Sequence, residues 1–85
     1  MAGTKPFVEI NGYVIRHLRI ADGRSVEDLA EQVGVKRPYV TKIELGHSRR
    51  VSPKVFNALL AAFSIDDRRV LMANPHGTAV LEETA

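Results

Sequence analysis

Residues Ser25 to Gly46 read SVEDLAEQVGVKRPYVTKIELG, and this stretch predicts two short helices joined by a tight turn. Val26, Leu29, Ala30 and Val33 recur at helical spacing. Ser25 is placed to cap the free amides of the first turn, where Glu27 and Asp28 complement the helix dipole. Gly34 supplies the positive φ that the turn requires. Pro38 is tolerated only in a first helical turn, so the next helix is expected over residues 37–45, with Val40 and Ile43 inward and Gly46 closing it. Two helices crossing at a steep angle need a small residue at the crossing, and Ala30 occupies that place. Leu29, Val33, Val35, Val40 and Ile43 seat the pair on the rest of the domain. That leaves Arg37, Tyr39 and Lys42 to project from the opposite face. An α-helix fits the major groove of B-DNA, where Arg or Lys pairs with guanine O6 and N7.

Outward from this stretch, the pattern remains helical. A helix is expected over residues 12–21, capped by Asn11, with Ile15 and Leu18 on one side and Asp22-Gly23 as its stop. Ser52-Pro53 starts a fourth helix, whose apolar face is Val55, Phe56, Leu59, Leu60 and Phe63. A fifth, short helix is expected over residues 66–73, packing through Val70 and Leu71. Met1 to Pro6 reads as a disordered lead-in. Phe7 to Ile10 is a β-prone run suited to an arm, a lid on the core, or a strand pairing with a second copy. Asn74-Pro75-His76-Gly77 breaks the helical pattern, and residues 78–85 read as a tail. The expected architecture is all-α: an N-terminal arm (1–11), a five-helix domain (12–73) with its helix-turn-helix at 26–45, and a C-terminal tail (74–85).

Composition bounds the function. The chain has 85 residues, enough for one domain, and no cysteine for a disulfide or thiolate site. No apolar run approaches the roughly 20 residues of a membrane span, and the N-terminus lacks the layout of a signal peptide, so a cytoplasmic location is expected. The net charge of +2 is modest, but its distribution is uneven. Lys36, Arg37, Lys42, Arg49, Arg50 and Lys54 lie between positions 36 and 54, opposed only by Glu44. One basic face on a small helical domain suits a polyanion. The sequence contains no Gly-rich phosphate loop, no Cys nucleophile and no His-to-carboxylate arrangement with a pocket-forming scaffold, so no enzyme activity, cofactor or small-molecule ligand is expected. His17, His47 and His76 are too scattered to predict a metal site.

Residues 12 to about 73 resemble the lambda-repressor/Cro-like (Xre) helix-turn-helix family. The L-A-x-x-x-G-V pattern falls on Leu29-Ala30 and Gly34-Val35, and [VI]-[ST]-x-[IW]-E-x-G falls on Val40-Thr41, Ile43-Glu44 and Gly46, in register. The resemblance implies that helix 37–45 is a recognition helix lying in the major groove. Arg37, Pro38 and Lys42 then occupy base-contacting positions, with Lys36 and Tyr39 flanking them. It further implies phosphate contacts from Ser25, Thr41, Arg49, Arg50 and Ser52, and a structural ion pair between Arg19 and Glu44. Two positions depart from the family pattern. Val26 stands where a phosphate-binding Gln is frequent, and Pro38 replaces a polar base reader, leaving only apolar contact such as a thymine methyl. The implied function is sequence-specific binding of double-stranded DNA by a transcriptional regulator, a repressor acting as a homodimer. The alternative is an antitoxin or adaptor of the same fold whose main partner is a protein, a toxin or the transcription machinery, docking on the arm or the tail.

Overall fold

Each of the four α-helices starts where a side chain or a proline removes the cost of its free amides. The structure, a computed structural model, describes residues 4–74 and 81–84. Helix α1 (Gly12–Ala21) is capped by Asn11, whose Oδ1 accepts from the Val14 amide. Helix α2 (Val26–Val33) begins in a reciprocal capping box: Ser25 Oγ accepts from the Asp28 amide at 3.0 Å, and the Asp28 carboxylate accepts from the Ser25 amide. Gly34 ends it in the left-handed conformation at φ 84°. Helix α3 (Arg37–Glu44) follows after only Val35 and Lys36, with Pro38 in its first turn. Helix α4 (Pro53–Ala62) is capped by Ser52, whose Oγ accepts from the Val55 amide. These four helices agree with the sequence expectation to within about one residue at each end.

The domain is mostly helical, as expected, but it is not all-α. A three-stranded antiparallel sheet accompanies the helices, in the order β2-β1-β3: β1 is Thr4–Glu9, β2 is Arg50–Val51 and β3 is Leu81–Thr84. Strand β1 is central, pairing Val8 with Val51 on one side and Phe7 with Leu81 on the other. Thr4 to Pro6 is therefore strand where a disordered lead-in was expected, and residues 81–84 of the expected tail are its partner. The expectations for residues 1–3 and 75–80, including the break at Pro75 to Gly77, lie outside the described residues. The sheet forms because the apolar run at its centre alternates. Val8 and Ile10 are buried on one face and bring their backbone with them, so its amides and carbonyls need partners.

The same demand replaces the expected fifth helix. Residues 68–70 form a single 3-10 turn, capped by Asp67. Beyond it, Met72 bridges to Ile10, the Leu71 carbonyl accepts from the Asn11 amide at 2.8 Å, and the Ala73 amide donates to the Glu9 carbonyl. An α-helix over 66–73 would have turned the Ala73 amide back onto its own preceding turn and away from Glu9. Leu71 is fully buried as expected, but Val70 is exposed and Met72 is the second residue in the core.

The core collects Ile15 of α1, Leu29 and Ala30 of α2, Val40 and Ile43 of α3, and Phe56 and Leu59 of α4. Val8, Ile10 and Val51 close it from the sheet side. Helix α3 is held from behind by α1 and α2, so its other face is left to solvent.

Candidate nucleic-acid interface

The exposed face of α3 is fixed by three devices. The first is an ion pair. Arg19 of α1 donates from Nε and Nη2 to the two carboxylate oxygens of Glu44, at 2.7 and 3.1 Å, and from Nη1 to the Arg24 carbonyl at 2.8 Å. The two side chains are 13% and 5% exposed, so the fork is largely shielded from water. The bond to Glu44 raises the Arg19 pKa further, against the opposing effect of burial. The second device is a backbone contact. Gly12 lies so close to the Ile43 carbonyl that a β-carbon there would overlap the oxygen. The third is the turn after α3, where Gly46 at φ 82° lets the His47 and Ser48 amides fold back onto the Lys42 carbonyl, at 2.9 and 3.1 Å.

These restraints present two clefts that share Arg37. One runs to the start of α2 and is lined by Arg19, Ser25, Val26, Glu27 and Arg37. The other runs along α3 and is lined by Arg37, Pro38, Thr41, Lys42, Leu45 and His47. Lys36, Arg37 and Lys42 are all exposed. Glu44, the one acid in the basic stretch, is engaged by Arg19, so its charge does not offset theirs.

The sequence-predicted residues thus separate. Ser25, Arg37, Pro38, Thr41 and Lys42 come together around the two clefts. Lys36 is exposed at the N-cap position of α3, and its side chain makes no capping bond. Tyr39 does not project freely. It is half-buried against the core, and that burial raises its pKa. Thr41 donates its hydroxyl to the Arg37 carbonyl at 3.3 Å, an alternative to the phosphate donation expected of it. Arg49, Arg50 and Ser52 line neither cleft. Arg49 and Ser52 are exposed, whereas Arg50 lies on the outer sheet face with its guanidinium 4.5 Å from the centre of the Phe7 ring.

Two residues that shape this surface were not singled out in the sequence. Leu45 is 61% exposed. Its signal was legible as an apolar residue off the phase of Val40 and Ile43, on a helix that turns about 100° per residue. Gly12 carried no signal, because a glycine opening a helix is ordinary in sequence. Among the described residues, no group of three or more His, Cys, Asp and Glu comes together, and no helix is long and apolar enough to cross a membrane.

Comparison with known proteins gives the same outline. A profile of the helix-turn-helix domain matches residues 12–71. A search of curated proteins returns no match. Among solved structures, the chain is similar to the master regulator for biofilm formation SinR in complex with DNA, at 27% identity over 65% of this chain and 87% of that one, with a TM-score of 0.61. It is also similar to a SinR protein/SinI protein complex, at 26% identity and a TM-score of 0.67, over 78% of this chain but only 63% of that one. The profile spans every helix that builds the two clefts, and the chain belongs to the helix-turn-helix family of lambda-repressor-like (Xre) type.

Proposed function

We propose that the chain binds double-stranded DNA sequence-specifically and regulates transcription, as a repressor, with α3 lying in the major groove. The observation that carries this reading is the position of Arg37. It stands where the two clefts meet, on the exposed face of a helix whose only acid is engaged elsewhere. Arg37 reads a base edge, Lys42 reads or steers from the next turn, and Lys36 stands beside them. Ser25 contacts a phosphate at the start of α2, where two first-turn amides are free to assist it. Arg49 and Ser52 hold the backbone beyond α3. Arg50 joins them with its guanidinium stacked over Phe7, a contact through the face of the group, whereas a phosphate is met in its plane. The similar SinR structure in complex with DNA supports the assignment.

The protein acts as a homodimer on a two-fold related site, with half-sites about one helical turn, roughly 34–36 Å, apart. Selection of bound duplexes from a random pool at near-physiological salt tests both statements. An enriched, symmetric site supports them, and a single unpaired half-site removes the dimer. Salt-sensitive binding to every sequence, with no enrichment, removes the regulator.

A second reading has its own support. The similar SinR protein is also found in complex with the SinI protein, and here α1 exposes Tyr13 and Ile20. In that reading the main partner is a protein, as for an antitoxin or adaptor. Retention of one stoichiometric partner together with failure of the DNA selection would favour it.

A further inference from the structure

Resting on the duplex-binding reading above, we infer that α3 carries a dry stripe, Pro38, Thr41 and Leu45, that recognises thymine by its 5-methyl group. The three residues stand three and four positions apart, so they fall on one side of the helix, and together they line one groove. The surface of that groove is mostly apolar. Pro38 has no donor to offer. Leu45, at the end of the helix, is 61% exposed. Thr41, the only hydroxyl among the three, is exposed and donates back to the Arg37 carbonyl at 3.3 Å, so the helix itself supplies a partner for its one polar group.

The identity of the occupant comes from the setting. Arg37 and Lys42 rim the groove, and a surface pressed to a polyanion by flanking cations meets the edges of bases. The major-groove edges of guanine, adenine and cytosine present hydrogen-bonding groups that an apolar stripe would desolvate without a partner. The thymine methyl is the one apolar group displayed there. From Pro38 to Leu45 the helix rises about 10 Å, which is about three base-pair steps of the duplex. The bound site therefore contains thymines within such a run, next to the base read by Arg37.

The test replaces thymine with deoxyuridine, one position at a time, in the duplex enriched by selection, which removes the methyl and nothing else. Affinity is expected to fall about fourfold at each of two or three clustered positions, the transfer cost of one methyl-sized apolar group, and to stay unchanged elsewhere. Pro38→Ala and Leu45→Ala are each expected to abolish the thymine–uracil difference at one of those positions, with the unfolding midpoint close to wild type. An enriched site at which every uracil substitution is silent overturns the dry stripe and leaves the duplex-binding reading standing. That is also the result if the groove serves a protein. A thymine effect that survives both variants overturns it as well. Failure to enrich any site removes both readings together.

Discussion

The α-carbon of Gly12 lies against the carbonyl of Ile43, so the first helix touches the third without an intervening side chain. Ile43 is itself 2% exposed and fixed in the core, which leaves that carbonyl little room to retreat. Gly12→Ala would normally gain up to about 1 kcal/mol of helix propensity. Here overlap with a backbone atom outweighs it, because no rotamer change relieves a clash between main chains. The expected net loss is about 2 kcal/mol, or roughly 8–16 °C in Tm for a domain of this size. A thermal melt at or above the wild-type midpoint would refute the close contact.

The Arg19–Glu44 pair should behave as a buried pair. Replacing Glu44 with Ala strands a guanidinium that is 13% exposed, at a cost of about 3–5 kcal/mol. Arg19→Ala also removes the donor to the Arg24 carbonyl and should cost at least as much. In urea titrations, the double variant should lose clearly less than the sum of the single losses. A single-variant loss below about 1 kcal/mol would mean that the pair acts like an exposed surface bridge. The pair adds no pH dependence from the arginine side. Its pKa is raised in the folded state, so its stabilisation is present at every pH below the arginine range.

Tyr39 does introduce a pH dependence. Burial favours its neutral form and raises its folded-state pKa, so the unfolded chain ionises first as pH rises. Its contribution is therefore complete below about pH 10, the ordinary phenol value, and is lost as pH climbs from there through the folded pKa. Melts between about pH 9 and 11 should show a steeper decline for the wild type than for Tyr39→Phe. Parallel curves would place the hydroxyl in water.

Arg37 and Arg49 should separate base reading from backbone holding. Arg37→Ala is expected to weaken the selected site by about 1–3 kcal/mol and to relax preference at one base pair. Arg49→Ala should weaken all sequences alike and reduce the salt slope by about one. Identical behaviour of the two variants in salt-dependent binding would end that division of roles.

The helices were legible because their signals are local. Ser25, Gly34, Pro38, Gly46 and Ser52-Pro53 mark helix ends within a few residues, and Leu29, Val40, Ile43 and Phe56 repeat at the helical period. The sheet was not legible, because its partners are far apart in the chain. Strand β2 is two residues long, and β3 reads LEET, with no alternating apolar pattern to announce it. The fifth helix failed for the same reason. Its Ala73 amide is claimed by Glu9 and Met72 bridges to Ile10, a demand no local window contains. At the interface, spacing was enough to bring Arg37, Pro38, Thr41 and Lys42 to one groove. It could not foresee that Tyr39 would turn toward the core or that Arg50 would settle on Phe7.

The pairing of Thr4 with Thr84 joins segments that lie far apart along the chain. Contacts among α1, α2, α3 and α4 span at most the stretch from residue 12 to residue 62, and such local contacts form early because they close short loops. Strand β1 precedes every helix in the chain, yet one of its two edges pairs with residues 81–84. The four helices thus close on one another through contacts within residues 12–62, whereas the second edge of β1 is satisfied only by a segment about twenty residues beyond the last of them.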